Sequence, residues 1–306
     1  MSGIESTTSV AVLGPGGVGS LVGALLAHEG VRVVCLARQA TVDRLRAHGI
    51  TVRSDRFGSF TVPVEAATRL HVRADAVLVT VKAPDLLAAL DAVPPSALGD
   101  ALVIPFLNGI EHVATLRGRY SAEAVVPATI RVEATRVAVG QVEHTSPFAS
   151  VEFAASAANG DRVGQLAAHL RGAGLEVNVR TDETAMLWEK LAFLAPLAIL
   201  TTYAEAPAGA VRTDCRDDLV ACIREVTEVA KAKGAHVDVD RLIAAIDGVP
   251  ASMRSSMQRD AAAGRPTELE AIGGAVVRAA DRARVPVPVT RRLVEALRDR
   301  QPTVSP

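Results

Sequence analysis

The first half of the chain alternates short apolar, β-branched runs with longer segments of helical periodicity. Alternation of this kind is typical of βα units that build a parallel sheet. The predicted buried strands cover residues 10–13, 31–37, 75–82 and 101–105. Helices are predicted after three of these strands, at residues 20–29, 42–48 and 110–116, and a small hairpin at residues 50–53 and 60–64. The pattern predicts an α/β domain around an open parallel sheet.

The pattern changes in the middle of the chain and again near residue 182. Val-, Thr- and Ile-rich runs at residues 125–131 and 140–144 predict antiparallel additions to the sheet, followed by a helix and a last strand. Beyond Asp182 the apolar spacing is helical to the end. Helices are predicted near residues 183–203, 216–234, 240–246, 253–263, 268–284 and 290–299. We therefore expect an α/β domain of residues 1–180 and an all-α domain of residues 181–306.

Composition narrows the classes of partner. The chain has 306 residues, 49% of them hydrophobic and 3% aromatic, with a formal net charge of -1 and no basic block. A near-neutral chain without such a block is not expected to bind nucleic acid or an anionic membrane. Small molecules are the expected partners.

Cysteine and histidine usage argues against disulfides and metals. The cysteines are Cys35, Cys215 and Cys222. They form no C-x-x-C pair, and the histidines show no metal-ligand spacing. Residues 1–9 lack the features of a signal peptide, and the longest apolar stretch, residues 191–200, is too short to span a bilayer. These features predict a cytoplasmic protein without a metal.

The first strand runs directly into the motif G-x-G-x-x-G, which opens a helical segment. Gly14 allows a sharp turn, Gly16 lets the backbone approach a pyrophosphate, and Gly19 allows the helix to pack closely on the strand. Gly17 and Val18 complete the turn. The backbone N–H groups of a helix N-terminus favour an anion, so this turn predicts a dinucleotide site.

The residue after the second strand indicates which dinucleotide is bound. That strand ends in Arg38, and no acidic residue lies between residues 31 and 41. An acid at this position would bind the ribose 2′-hydroxyl of NAD, whereas an arginine accommodates the 2′-phosphate of NADP. We expect NADP(H), with a solvated surface arginine as the alternative. Lys82 and Asn108 follow two further strand ends, where ligands bind in open parallel sheets.

The first long helix of the second domain carries one cation on an otherwise apolar stripe. Lys190, Leu194 and Ala198 are spaced i, i+4, i+8 and share a face, with Thr201 near the same line. A lysine at the mouth of a dry groove can donate a proton. The alternative is a lysine that extends from a core helix to water.

A second polar stretch precedes the penultimate predicted helix. Thr267 and Glu270 form a T-x-x-E capping box, which predicts that Glu270 folds back onto Thr267 and leaves Glu268 free. A glutamate in a first helical turn also interacts favourably with the helix dipole, and this alternative stays open.

The chain resembles the ketopantoate reductase (2-dehydropantoate 2-reductase) family. The motifs that carry the resemblance are G-x-G-x-x-G with Arg38, Val-Lys82, Leu-Asn108-Gly, Trp-x-Lys190-Leu, Ser-Ser256-Met and Arg-x-Thr-Glu268. They run in order over nearly the whole chain. The resemblance implies a Rossmann-type domain and a helical domain, NADPH, a keto-acid substrate and a step of pantothenate biosynthesis.

The resemblance also implies residue roles. Lys190 would be the general acid, and Glu268 would assist and orient in the site. Asn108 would hold the nicotinamide and Lys190, and Ser256 would hydrogen-bond the substrate. Arg38 and Lys82 would bind the cofactor.

Two positions depart from the family. Leu194 and Ala198 stand where the family usually has asparagines that contact the substrate hydroxyl, and Thr201 or Thr202 would be a replacement hydrogen-bond donor. Apolar replacements weaken discrimination for a hydroxylated substrate. The alternatives are the same chemistry on a less polar keto acid, ketone or imine, and a non-catalytic NADP(H)-binding sensor. The sequence leaves the oligomeric state open, a homodimer included.

Overall fold

The computed structural model describes residues 8–300. Residues 1–7, which belong to the segment that lacks the features of a signal peptide, lie outside the described residues. Contacts divide the chain into two compact units: unit 1 holds the residues up to Leu107 together with His112–Glu183, and unit 2 holds Asn108–Glu111 together with the chain from Thr184 on. The sequence pattern placed the boundary three residues earlier, at residue 180, and did not predict that Asn108–Glu111 belongs with the helical unit.

Unit 1 is an α/β unit. Its strands are β1 (Ser9–Leu13), β2 (Arg32–Leu36), β3 (Ile50–Ser54), β4 (Gly58–Val62), β5 (Glu65–Ala67), β6 (Ala76–Val79), β7 (Leu102–Pro105), β8 (Ala128–Arg131), β9 (Ala134–Ala138), β10 (Gln141–His144), β11 (Ser150–Ala154) and β12 (Glu176–Arg180). Its helices are α1 (Gly17–His28), α2 (Gln39–His48), α3 (Leu86–Ala89), α4 (Pro95–Leu98), α5 (His112–Arg117) and α6 (Gly160–Gly172), with 3₁₀ turns at Ala83–Asp85 and Leu90–Ala92.

The main sheet is parallel, in the strand order β5-β2-β1-β6-β7. All residues of β1, β6 and β7 are buried, which explains why their sequences are continuous apolar runs. The strand order changes direction at β1. The chain continues from β1 to β2 on one side of β1, and the later strand β6 pairs with its other side. The predicted parallel sheet of a Rossmann-type unit is confirmed.

The expected antiparallel additions to this sheet are wrong in part. Two further sheets form instead, β4-β3-β10-β9 and β12-β11-β8, and each contains a parallel pair. Ile50, Val52 and Val142 explain the β3–β10 pairing, because all three are buried in the core of unit 1. An isolated bridge between Val103 and Val125 is the only pairing of the described residues that connects β7 to the segment before β8.

Unit 2 is helical, as predicted. Its helices are α7 (Glu183–Tyr203), α8 (Ala208–Asp214), α9 (Arg216–Ala232), α10 (Val239–Asp247), α11 (Ser256–Ala262), α12 (Ala275–Ala283) and α13 (Pro288–Arg300), and a π-helical turn, Glu270–Gly274, precedes α12. Helix α8 was not predicted. The helix predicted at residues 268–284 is divided between the π-helical turn and α12.

Helix α7 is the central apolar helix of unit 2, although its first residue is counted with unit 1. By length and composition it passes as a membrane span, with a mean hydropathy of 1.3 in its most apolar window. In the fold, 72% of that window is buried, and Leu191, Ala195 and Ile199 belong to the core of unit 2. Its apolar character is therefore accounted for by packing inside the protein.

Candidate active site

The glycine-rich turn after β1 is tightly packed on one side. Gly14 has a φ of +85°, and a Cβ there would collide with the side chain of Val81. The Thr80 hydroxyl lies 3.0 Å from the carbonyl oxygen of Leu13 and 2.7 Å from that of Gly14, and donates to this pair. A Cβ at Gly19 would collide with the same hydroxyl. Gly14 and Gly19 are therefore required by the fold of the turn itself, and Thr80, which directly follows β6 and binds the turn, is a contact that the sequence did not predict.

Gly16 lies in a different environment. The only atom within 4 Å of a Cβ built there is the carbonyl oxygen of Gly14, at 3.9 Å, so packing does not demand glycine at this position. Gly16 is the N-cap of α1, which has no side-chain cap and no acid in its first turn. The backbone N–H groups and the dipole of α1 therefore remain suited to an anion, and a Cβ would occupy the space beside them. This geometry fits a pyrophosphate.

The neighbouring residues have structural roles of their own. A Cβ at Gly17 would collide with the carbonyl oxygen of Ala134 in β9, so this glycine lets α1 approach that strand. Val18 is half-buried and packs against the core of unit 1. Both were predicted to bind the cofactor, and both are explained by packing as well.

Arg38 follows β2 at the N-cap position of α2 and is exposed. Within residues 8–300 its guanidinium takes part in no hydrogen bond or ion pair. Two other arginines of this region are engaged: Arg32 forms an ion pair with Glu65 at 2.7 Å, and Arg46 donates to the carbonyl oxygen of Ala66. A guanidinium in this position suits a 2′-phosphate.

Lys82 and Asn108 both lie beyond strand ends. Lys82 is exposed and follows β6 by three residues, because β6 ends at Val79 rather than at the predicted residue 82. Asn108 follows β7 by three residues and belongs to unit 2.

A hydrogen bond joins two of the predicted site residues in unit 2. Asn108 Nδ2 donates to Glu268 Oε2 at 2.9 Å. The Glu268 side chain is buried, and its backbone carbonyl accepts from the N–H groups of Ala271 and Ile272 at 3.1 and 3.0 Å. The family resemblance singled out both residues, and its assignment of Asn108 to Lys190 and the nicotinamide stays a prediction.

The predicted capping box does not form. Glu270 does not return to Thr267; its carboxylate accepts hydrogen bonds from Arg278 at 2.8 Å and from Arg298 at 2.6 Å. Thr267 Oγ1 accepts a long hydrogen bond of 3.4 Å from the N–H of Leu269. Charge-assisted bonds to two arginines are stronger than a bond to one backbone N–H, which explains why Glu270 points away. The hydrogen bond with Arg298 is the main cause that lowers the pKa of Glu270.

Lys190 and the two departures from the family lie along α7. Lys190 and Leu194 are half-buried, and Leu194 packs against the core of unit 2. Ala198 is 1% exposed and belongs to that core. Leu194 therefore has the more accessible side chain of the two.

The hydroxyl groups of Thr201 and Thr202 make hydrogen bonds within unit 2. Thr201 donates to the carbonyl oxygen of Leu197 at 2.7 Å, and Thr202 donates to that of Ala198 at 2.7 Å. Their protons are therefore bound within α7, and the prediction that either threonine replaces the missing amide donor is not supported. Ser255 is the buried N-cap of α11 and lies 2.8 Å from the Thr201 hydroxyl. Ser256, the predicted substrate residue, is exposed at the start of α11.

Cysteine chemistry and metals find no support in the described part of the chain. Burial raises the pKa of Cys35 and of Cys222 to about 12, so both thiols stay protonated near neutral pH. Residues 8–300 contain no group of three or more His, Cys, Asp or Glu residues that could hold a metal ion.

Comparison with known proteins matches both units. The family model described as ketopantoate reductase PanE/ApbA matches residues 10–157, and the model of the C-terminal domain of the same family matches residues 182–301. The 2-dehydropantoate 2-reductase of Halobacterium salinarum is 33% identical, over 94% of this chain and 97% of the relative.

Two solved structures share the fold. The ketopantoate reductase of Ralstonia eutropha is 28% identical, with a TM-score of 0.86 over 96% of this chain and 98% of that one. A D-mandelate dehydrogenase solved with NADH and anilino(oxo)acetate is 21% identical, with a TM-score of 0.88 over 96% of this chain and 98% of that one, a likeness of fold alone. Since the two family models together span most of its length, this chain belongs to the ketopantoate reductase family, a family of nicotinamide-dependent oxidoreductases.

Proposed function

We propose that the protein reduces a 2-oxo acid to a 2-hydroxy acid with NADPH, as a 2-dehydropantoate 2-reductase of cytoplasmic pantothenate biosynthesis. The observation that carries the proposal is the hydrogen bond between Asn108 and Glu268. Two polar residues that the family resemblance assigns to one site are in contact, although 160 positions separate them. Relatives named 2-dehydropantoate 2-reductase, about 30% identical over nearly the whole chain, support the same activity.

The proposed cofactor residues are those of the glycine-rich turn together with Arg38, Lys82 and Asn108. The N-terminus of α1 would bind the pyrophosphate beside Gly16, where a Cβ would take up the space. Arg38, whose guanidinium has no partner among the described residues, would bind the 2′-phosphate. The D-mandelate dehydrogenase of similar fold was solved with NADH, so the choice between the two dinucleotides rests on Arg38 in this proposal.

NADPH, when bound, supplies a hydride to the carbonyl carbon of the substrate. Lys190 would donate the proton that the carbonyl oxygen takes up, and its positive charge would stabilise the alkoxide as it develops. Glu268, fixed by Asn108, would orient the reacting groups. Ser256 would hydrogen-bond the substrate from the start of α11.

A second candidate keeps this chemistry and changes the substrate. Leu194 and Ala198 are apolar where the family usually has amides, and the protons of Thr201 and Thr202 are bound within α7. A pocket without these amides binds a substrate hydroxyl less well. A 2-oxo acid with a less polar side chain, or another small ketone or imine, is the substrate that this observation favours.

One assay separates the candidates. NADPH oxidation is followed by absorbance with ketopantoate and with unbranched, branched and aromatic 2-oxo acids, and NADH is tested in parallel. Fast oxidation with ketopantoate supports the first candidate. Turnover of a more apolar keto acid alone supports the second. Tight NADPH binding without turnover of any carbonyl compound contradicts both and favours the sensor.

A further inference from the structure

Arg278 joins the segment that carries Asn108 to the segment that carries Glu268. Its guanidinium makes a side-on pair with Glu111, in which Nε donates to Oε1 at 3.1 Å and Nη2 to Oε2 at 2.7 Å. On its other side it donates to the Glu270 carboxylate at 2.8 Å and to the Glu270 backbone carbonyl at 2.6 Å. Four N–H donors of a single side chain are therefore used between two segments of chain.

The same two segments touch at two further places. Asn108 donates to Glu268, and Gly109 lies so close to the carbonyl oxygen of Ala271 that a Cβ would collide with it. The Gly109 φ of +87° turns the chain so that this approach is made by backbone alone. Several contacts therefore connect Asn108–Glu111 with residues 268–271. The Asn108–Glu268 hydrogen bond lies at one end of these segments, and the bonds of Arg278 with Glu111 and Glu270 lie at the other.

The chain after Glu268 is bound by arginines of two other helices. A π-helical turn, Glu270–Gly274, begins two residues after Glu268, and π-helical turns are uncommon and found mostly at functional sites. Arg278 is bound to the carbonyl and the carboxylate of Glu270, the first residue of that turn. Arg298 holds the same carboxylate from α13. The turn is therefore fixed from two helices.

We propose that Arg278 is a positioning residue, which fixes the Asn108–Glu268 hydrogen bond by binding Glu111 and Glu270 together. This inference rests on the proposed function for its effect on catalysis, and the geometry itself is independent of that function. Arg278 acts through Asn108 and Glu268 rather than on the substrate. Ion pairs with Arg278 and Arg282 lower the pKa of Glu111, so this carboxylate stays charged near neutral pH.

Arg216 provides a matched control in the same unit. It makes a two-bond ion pair with Asp247, to which Nη1 and Nη2 donate at 2.5 and 2.9 Å, and its side chain is 38% exposed, as is that of Arg278. Arg216 begins α9, and its partner ends α10. Arg216→Met therefore removes an ion pair of the same type and exposure without touching either segment.

The first test needs no activity. In ligand-free protein labelled with ¹⁵N at asparagine, the Asn108 side-chain amide is identified by its loss in Asn108→Ala. We expect Glu268→Ala and Arg278→Met to shift this signal in the same direction, and Arg216→Met to leave it in place. A signal that moves in Glu268→Ala but not in Arg278→Met overturns the proposal, whether or not the protein reduces a 2-oxo acid.

The second test is a double-mutant cycle on kcat. A displaced catalytic group costs up to roughly 100-fold in rate, so we expect Arg278→Met to lower kcat by about 10- to 100-fold with little change in the KM for NADPH. In the Asn108→Ala background the same substitution should cost no more than about twofold, because the bond it supports is already absent. An equal loss in both backgrounds indicates general destabilisation and overturns the proposal.

Arg278→Lys replaces Arg278→Met in both tests if the methionine variant does not fold. An ammonium keeps the charge but cannot form the side-on pair with Glu111 while also reaching the Glu270 carbonyl. We expect a kcat between those of the wild type and the methionine variant, with unchanged thermal stability. Wild-type kcat and an unshifted Asn108 amide in Arg278→Lys would contradict the assigned role.

Discussion

Asn108 donates a 2.9 Å hydrogen bond to Glu268, which is only 7% exposed. A buried carboxylate is stable in a fold only when polar groups contact it, and the Asn108 amide is one such group. Asn108 and Glu268 come from distant stretches of the chain. Asn108 follows a strand of unit 1 but packs with unit 2, which also contains Glu268. The candidate site therefore includes a contact that depends on the tertiary fold and not on local sequence.

Lys190→Ala should lower kcat by roughly 10²- to 10⁴-fold, the usual contribution of a positioned proton donor. Affinity for NADPH, measured by the change in its fluorescence on binding, should stay within about threefold, because the proposed cofactor residues are elsewhere. Lys231→Ala, on the exposed side of α9, is the control and should leave both values unchanged. Near-normal turnover in Lys190→Ala would rule out its role as general acid.

Arg38→Ala should raise the KM for NADPH by about 10- to 100-fold, the effect of losing a hydrogen bond to a charged group. The KM for NADH should change little, because NADH lacks the 2′-phosphate. Arg44→Ala, on the exposed face of α2, is the matched control. Equal effects of Arg38→Ala on both cofactors would contradict the assignment of NADP specificity to this residue.

The sequence predicted those parts of the fold that depend on local patterns. The bounds of α7 were predicted to the residue, and strands β1, β2, β6 and β7 of the main sheet were predicted because their apolar runs are continuous, whereas the three-residue strand β5 was not predicted. The capping box failed because the partners of Glu270, Arg278 and Arg298, lie 8 and 28 residues away. Pairing between distant segments leaves no periodic signal, which also explains why the separate sheets and the Arg278 contacts were missed.

Gly109→Ala tests the close contact beside Asn108. A positive φ costs an alanine about 1 to 2 kcal/mol, and the collision with the Ala271 carbonyl should cost a further 1 to 3 kcal/mol or so. Gly234→Ala, with a φ of +89° and nothing within 4 Å, should show the first cost alone. Chemical unfolding of the two variants measures the difference. Equal losses of unfolding free energy in the two variants would mean that the structure beside Ala271 adjusts to the added methyl group without cost.

His144 makes unit 1 sensitive to acid. It is 3% exposed, with Nδ1 2.9 Å from the Ser54 hydroxyl and Nε2 3.0 Å from the Ser146 hydroxyl. Burial lowers its pKa below the ordinary value of 6.5, with Arg56 contributing in the same direction, while the hydrogen bond with the Phe148 carbonyl and the charge of Glu133 oppose it. Below pH 6.5 the unfolded chain therefore binds more protons than the folded one, and stability falls as the pH falls.

We expect the wild type to lose more unfolding free energy than His144→Asn between about pH 7.5 and pH 5, on either side of the ordinary histidine pKa. Urea unfolding at the two pH values gives both numbers. His48→Asn, at an exposed position of α2, should behave like the wild type. A pH dependence that His144→Asn leaves unaltered would show that other groups cause the acid sensitivity.

The most direct test of the proposed reaction is to follow the hydride itself. The enzyme is incubated with NADPH that carries deuterium at both positions of nicotinamide C4 and with the 2-oxo acid that is turned over fastest, and the product is analysed by mass spectrometry and NMR. We expect a 2-hydroxy acid with deuterium on C2, formed in equal amount to NADP⁺, and almost none with Lys190→Ala. Oxidation of the cofactor without deuterium on C2, or a product other than a 2-hydroxy acid, would contradict the proposed reaction.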